Sequence, residues 1–265
     1  MTSPIHIRVA SRYLKSRRLS QPIRSVGATL ARNIVTWLEK KGPDVLDKKP
    51  LSKLQIMVPR IHLHWVSERL QKSGVYISAS KLGNLRFRLV ERNSYFSPNH
   101  WEIGIKVPYH KDYWDVWLQK GGEFEQSFVH EFVHAMDFHR GNPKAYGKEV
   151  RDDPKQYITH PLEVNARIQE LMNRYDQKLE KYLAPVMMKS DSMDTEDLEW
   201  ELLSHLNWTT THEIEDILYK LDGRLEKQMR EDVDLRKKIL KRLYTEMEES
   251  KNTWRTLMNY TPPHI

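Results

Sequence analysis

Two histidines four residues apart with a glutamate between them, in His130-Glu131-Phe132-Val133-His134, are the side chains here best suited to chemistry. On a helix, positions i and i+4 lie one turn apart on one face, so both imidazoles can reach a single cation. A zinc ion takes imidazole nitrogen at about 2.0–2.1 Å. Glu131 then stands to one side of the metal, where it can accept a proton from a metal-activated water and pass it to a leaving amine. The flanking residues predict the helix itself. Phe124, Phe128, Phe132 and Met136 recur every four positions with Val129 and Val133 beside them, while His130, His134 and Asp137 fall nearly opposite. A helix apolar over most of its surface is buried, and a buried polar stripe needs partners. A metal is one such partner; ordinary core hydrogen bonds are the other.

An open zinc site needs a third protein ligand. The chain has no cysteine, which removes thiolate ligands, a disulfide framework and a cysteine nucleophile together. Arg140 stands where a metzincin would carry its third histidine, and His139 is one position off. Glu163, within Pro161-Leu162-Glu163-Val164-Asn165-Ala166-Arg167, is the leading candidate, with Ala166 on the same face allowing two helices to approach closely. His160 is its main rival, with Asp152 and Asp153 behind, and a solvated helix acid is the other reading of Glu163. Asp137 reads either as a group orienting a ligand imidazole or as an acid near a helix end. Tyr157 reads either as a donor to a developing oxyanion or as a packing residue of a loop.

The elements that must position these groups follow from periodicity. A helix is predicted over 25–41 (Val26, Leu30, Ile34 and Leu38 on one face), stopping at Gly42-Pro43, and a second over 51–72. Strands are predicted at Val75–Ser78, Leu85–Glu91 and Trp101–Val107, the last with Trp101, Ile103, Ile105 and Val107 inward and Glu102, Gly104 and Lys106 outward. Asn93–Asn99 reads as the connecting turn. A helix from about Glu123 to Arg140 ends at Gly141, and a charged loop leads to Thr159. Pro161 suits the first turn of the next helix, to about Leu183. Residues 196–206 and 211–250 read as further helices. The fold class expected is α+β, divided into basic arm and helices (1–72), a core (73–185) and a C-terminal helical region (186–265).

The 265 residues suffice for one sizeable domain with an appendage, and 39% apolar residues argue against global disorder. No apolar run approaches the ~20 residues that span a bilayer. The net charge of +7 is unevenly placed: the first 38 residues hold no acid but carry Arg8, Arg12, Lys15, Arg17, Arg18, Arg24 and Arg32. That stretch reads as a solvated helix face, an arm gripping nucleic acid or an acidic partner, or an organellar transit segment.

The run His130-Glu131-Phe132-Val133-His134-Ala135-Met136-Asp137 resembles the active-site helix of gluzincin metallopeptidases of the anthrax-lethal-factor and Mlc-titration-factor types, and Tyr157…Glu163-x-x-Ala166 is similar to their later segment. The resemblance covers about residues 85–175. It implies a zincin-like fold, zinc held by His130, His134 and Glu163, Glu131 as the base and Tyr157 as the oxyanion donor. It also implies a peptide substrate lying along the strand Trp101–Val107. The opening Val9-Ala10-Ser11-Arg12-Tyr13-Leu14 resembles the start of tailed-phage reading frames. The leading expectation is thus a zinc metallopeptidase, cytoplasmic or virion-associated. The alternative is a virion assembly protein on the same fold, working through its basic arm or C-terminal helices. Nucleic-acid binding ranks last, because no defined nucleic-acid module is present.

Overall fold

A computed structural model describes residues 22–41, 49–50, 60–72, 75–139, 154–189, 209–219 and 223–258, with isolated positions between 197 and 207. The contacts divide the chain into two compact units, Gln21–Asn173 and a second from Arg174 onward. This division falls at 20/21 and 173/174, whereas the sequence suggests limits at 72/73 and 185/186. The first 20 residues, including most of the basic stretch, lie outside the described residues.

The first unit is built on α1 (Pro22–Lys41), β1 (Lys49–Pro50), α2 (Arg60–Lys72), α3 (Ala79–Gly83), β2 (Arg86–Val90), β3 (Tyr95–Ser97), β4 (Glu102–Lys106), α4 (Trp114–Leu118), α5 (Glu123–His139), α6 (Pro154–Thr159) and the start of α7 (Pro161–Lys189). Helices with a small sheet bear out the broad α+β class. The apolar stripe Val26, Leu30, Ile34 and Leu38 of α1 is buried, as its spacing requires. That stripe brings α1 onto α5. At Gly27 a Cβ would stand 3.1 Å from the Phe132 ring, so glycine lets the two helices close up.

The sheet order is β1-β2-β4-β3. β2 and β4 run parallel with Phe87 opposite Ile103 and Leu89 opposite Ile105, and β3 folds back antiparallel on β4. The inner face meets the aromatic ladder of α5. Phe87 meets Phe124 edge-on at 5.9 Å, and Phe124, Phe128 and Phe132 stack in turn at 6.2 and 6.1 Å. Sheet and α1 thereby consume the apolar surface of α5, leaving its histidine stripe for α7.

Several expectations need correcting. Val75–Ser78 buries Val75 and Ile77, but Ile77 N donates back to Val75 O at 3.1 Å in a tight turn, and the segment joins no ladder among the described residues. The connection Asn93–Asn99 is more than a turn, since it contains β3. In consequence β4 is paired on both sides and is not an edge; the edge belongs to β3. Nor is the second face of β4 open to solvent. The Tyr95 ring lies over Gly104, where a Cβ would come within 2.5 Å of it, and its hydroxyl donates to Glu102 at 2.7 Å. Glu102 and Gly104 are buried beneath that ring. Trp101 leaves the strand pattern through a left-handed backbone (φ 47°), held by its indole N–H donating to Lys81 O at 2.9 Å. The loop expected to reach Thr159 ends in the helix α6. Residues 51–59 and 140–153 lie outside the described residues, with Arg140, Gly141, Asp152 and Asp153 among them.

In the second unit, the stretch 211–250 expected to be helical carries three helices among the described residues, α8 (Thr211–Leu218), α9 (Gly223–Glu231) and α10 (Val233–Met258), the last running past the expected end. Thr210 and Glu213 form a capping box at the start of α8, and Asp232 Oδ1 accepts from Leu235 N at the start of α10. Only Leu202, His205, Leu206 and a few neighbours of the expected helix 196–206 are described. Glu248 ties this unit together, accepting from Thr209 N and Oγ1 at 2.6 Å and from Arg255 at 3.1 Å. Burial would raise its carboxyl, but these donors and the Arg255 charge outweigh burial and hold it below the usual carboxylate range. A depressed folded value stabilises the protein above the unfolded pKa, and that stability is lost as pH falls through the folded value. Glu248→Gln is therefore expected to lower the melting temperature at pH 7 and to narrow its difference from the parent at pH 3. Equal deficits at both pH values in thermal melts would contradict this.

Among the described residues, no helix is long and apolar enough to cross a membrane.

Candidate metal centre

α5 begins after Gly121-Gly122 with Glu123 and Glu125 in its first turn, where acids favour the exposed N–H groups. Glu125 does more. It accepts both guanidinium contacts of Arg32 at 3.1 Å, the Gly121 N–H at 3.2 Å and the Asn173 amide at 3.1 Å. This clamp fixes α5 to α1 and α7 about one and a half turns before His130. At the other end, Asp137 is buried and accepts from Asn165 Nδ2 of α7 at 2.9 Å. Both contacts set the face of α5 that α7 meets.

α7 begins where His160 caps it: Val164 N donates to His160 O at 3.0 Å and Leu162 N to His160 Nδ1 at 3.3 Å. Pro161 then occupies the first helical position. Glu163, in the first turn, points into the α5 histidines.

There the sequence-predicted ligands come together. His130 Nε2 and His134 Nε2 stand 3.1 Å apart, and Glu163 Oε1 and Oε2 stand 3.5 and 3.2 Å from them respectively. His130, His134 and Glu163 are buried and form a group that could hold a metal ion. His160, the rival ligand, is not part of it; its Nδ1 serves the helix start.

The charges are dense for so buried a place. His130, Glu131, His134 and Glu163 expose 7, 7, 5 and 1% of their surfaces. Buried charges persist only when paired. Burial would lower the His130 pKa, but Glu163, Glu170 and the nearby Glu131 outweigh it and hold it up to about 10. Glu163 moves oppositely: burial would raise it, yet the two imidazoles keep it well below the carboxylate range. Glu131 is raised, because burial outweighs the attraction of His130 and His134. Tyr157 is half-buried beside Glu163, and burial together with that carboxylate pushes its hydroxyl above the ordinary phenol range. Glu131 and Tyr157 thus share the electrostatic neighbourhood of the ligand group.

Two residues of this site are not singled out by the sequence motifs. Glu170 Oε2 stands 3.5 Å from His130 Nδ1, and Arg167 Nε donates to Glu163 Oε1 at 3.0 Å. A signal for them is present: Glu163, Arg167 and Glu170 recur at i, i+4 and i+7, one face of one helix.

No protein-family model, no curated protein and no solved structure matches the chain.

Proposed function

We propose that this chain is a zinc-dependent metallopeptidase of the gluzincin type on a zincin-like fold, with His130, His134 and Glu163 as ligands and Glu131 as the general base. The observation that carries the reading is the convergence of the three donor groups with Glu131 alongside. Tetrahedral donors at 2.0–2.1 Å from one ion stand about 3.3 Å from each other; here the imidazole nitrogens stand 3.1 Å apart, and the Glu163 carboxylate brings Oε2 to 3.2 Å from one and Oε1 to 3.5 Å from the other. Two imidazoles and one carboxylate, without a thiolate, suit zinc better than the oxygen-seeking Mg²⁺ or Ca²⁺. Three protein ligands also leave a position open for substrate.

When bound, zinc would polarise a carbonyl and make a water nucleophilic near neutral pH. The protein's own groups supply the rest. Glu131, with its carboxyl raised by burial, takes the proton of the attacking water and delivers it to the amide nitrogen as the C–N bond breaks. Tyr157 stays protonated through the neutral range and donates toward the negative charge developing on the carbonyl oxygen. An extended peptide would add to the sheet at its β3 edge. The contact of Phe96 with Phe138 at 5.9 Å sets that strand against the last turn of α5.

The test is digestion of a mixed-sequence peptide library by zinc-loaded protein, read by mass spectrometry. Cleavage that stops on chelation and returns with zinc is expected. A fully loaded protein that cuts nothing would leave a metal centre without this activity and favour an assembly role.

A further inference from the structure

Arg167 lies on α7 four residues beyond Glu163 and three before Glu170. Its Nε donates to Glu163 Oε1 at 3.0 Å, and its Nη1 stands 3.9 Å from Glu170 Oε2. The same Glu170 oxygen stands 3.5 Å from His130 Nδ1. One guanidinium therefore contacts the carboxylate of one metal-binding group and the acid behind another. The planar fork of arginine suits this double contact in a way that a lysine ammonium does not.

The consequence is a choice of donor atoms. Glu163 offers two oxygens. Oε1 accepts from Arg167 and stands 3.5 Å from His130 Nε2, whereas Oε2 is buried without a hydrogen-bond partner and faces His134 Nε2 at 3.2 Å. His130 offers two nitrogens: Nδ1 is buried without a hydrogen-bond partner, with Glu170 Oε2 3.5 Å away, and Nε2 faces His134 and Glu163. A carboxylate freed from its arginine can wrap an ion with both oxygens, which adds a donor and fills the position substrate needs.

We propose that Arg167 is the positioning residue of this centre: it restricts Glu163 to one donor oxygen and, through Glu170, turns His130 Nε2 toward the ion. The inference rests on the zinc reading above. Geometry sets it apart from an ordinary surface pair. Glu163 is 1% exposed while the arginine side chain is 30% exposed, so the guanidinium reaches inward to a buried acid. Truncating so accessible a side chain need not disturb the core.

The experiment compares the full-length parent with Arg167→Met and Arg167→Lys, titrated with zinc against a chromophoric chelator and then loaded with Co²⁺. Loss of a partner behind the ligands typically costs 10–100-fold in metal affinity. Arg167→Met is expected to lose affinity in that range and to give a weaker visible cobalt absorption, as an extra donor raises the coordination number. Arg167→Lys, which can reach one carboxylate but not both, is expected to fall between parent and Met variant. Methionine and lysine variants that bind zinc within twofold of the parent, with the parental cobalt spectrum, would overturn the proposal while leaving the metal centre standing. A parent chain that takes up neither metal would overturn the centre itself, and the proposal with it.

Discussion

Glu131→Gln is expected to slow peptide hydrolysis by roughly 10²–10⁴-fold, the usual contribution of a positioned general base, while zinc stays bound. Glutamine keeps the size and shape of this buried side chain, so the α5 backbone that presents His130 and His134 has no reason to move. What disappears is the proton acceptor. Glutamate in this setting is well suited to that role, because burial raises its carboxyl toward the working pH and brings proton uptake and proton release closer to balance. The separation of effects is what makes the variant informative. Turnover should fall in kcat, and zinc content should remain at the parental level. A variant that cleaves at the parental rate would remove Glu131 from the mechanism.

His134→Ala should fail in the opposite order, losing the metal first and activity as a result. Its Nε2 is 3.1 Å from the other imidazole and 3.2 Å from Glu163, so its removal leaves two donors where three converged. The affinity lost should exceed the 10–100-fold that an outer partner costs. Stability reports the same loss independently. A ligand present at 1,000 times its Kd stabilises the folded state by about 4 kcal/mol. Zinc should accordingly raise the melting temperature of the parent and leave that of His134→Ala unmoved. An equal zinc-induced rise in both proteins would show that the ion binds elsewhere.

The site is legible in the sequence where it rests on local periodicity. Phe124, Phe128 and Phe132 announce a buried helix, and the same spacing puts His130 and His134 on its remaining face. Glu163 can be picked out as a candidate because Pro161 marks the start of the next helix, but a solvated first-turn acid reads the same way, and only its packing against α5 separates the two. Arg167 and Glu170 share that face, yet nothing in the sequence says how far along α7 the contact with α5 extends. That depends on the Glu125 clamp and the Asp137–Asn165 contact, both between residues distant in the chain.

The sheet is less legible for a related reason. β3 is three residues long, between Asn93 and Pro98, and its pairing with β4 is what makes it a strand. Gly104 reads as an outward position of an alternating strand, whereas it is the seat of the Tyr95 ring from the neighbouring strand. Without β3, β4 looks like the edge. In the C-terminal region the Glu and Lys pairs continue at helical spacing straight through Asp232, which hides a cap that only its hydrogen bond to Leu235 reveals.

The central claim is that His130, His134 and Glu163 bind zinc together. Metal analysis tests it most directly: equilibrate the purified full-length chain with zinc, remove the excess, and measure zinc per chain beside Glu163→Ala prepared identically. One zinc per parent chain and close to none in the variant is the result predicted here. Zinc well below one equivalent in the parent, or equal content in the two proteins, would contradict it.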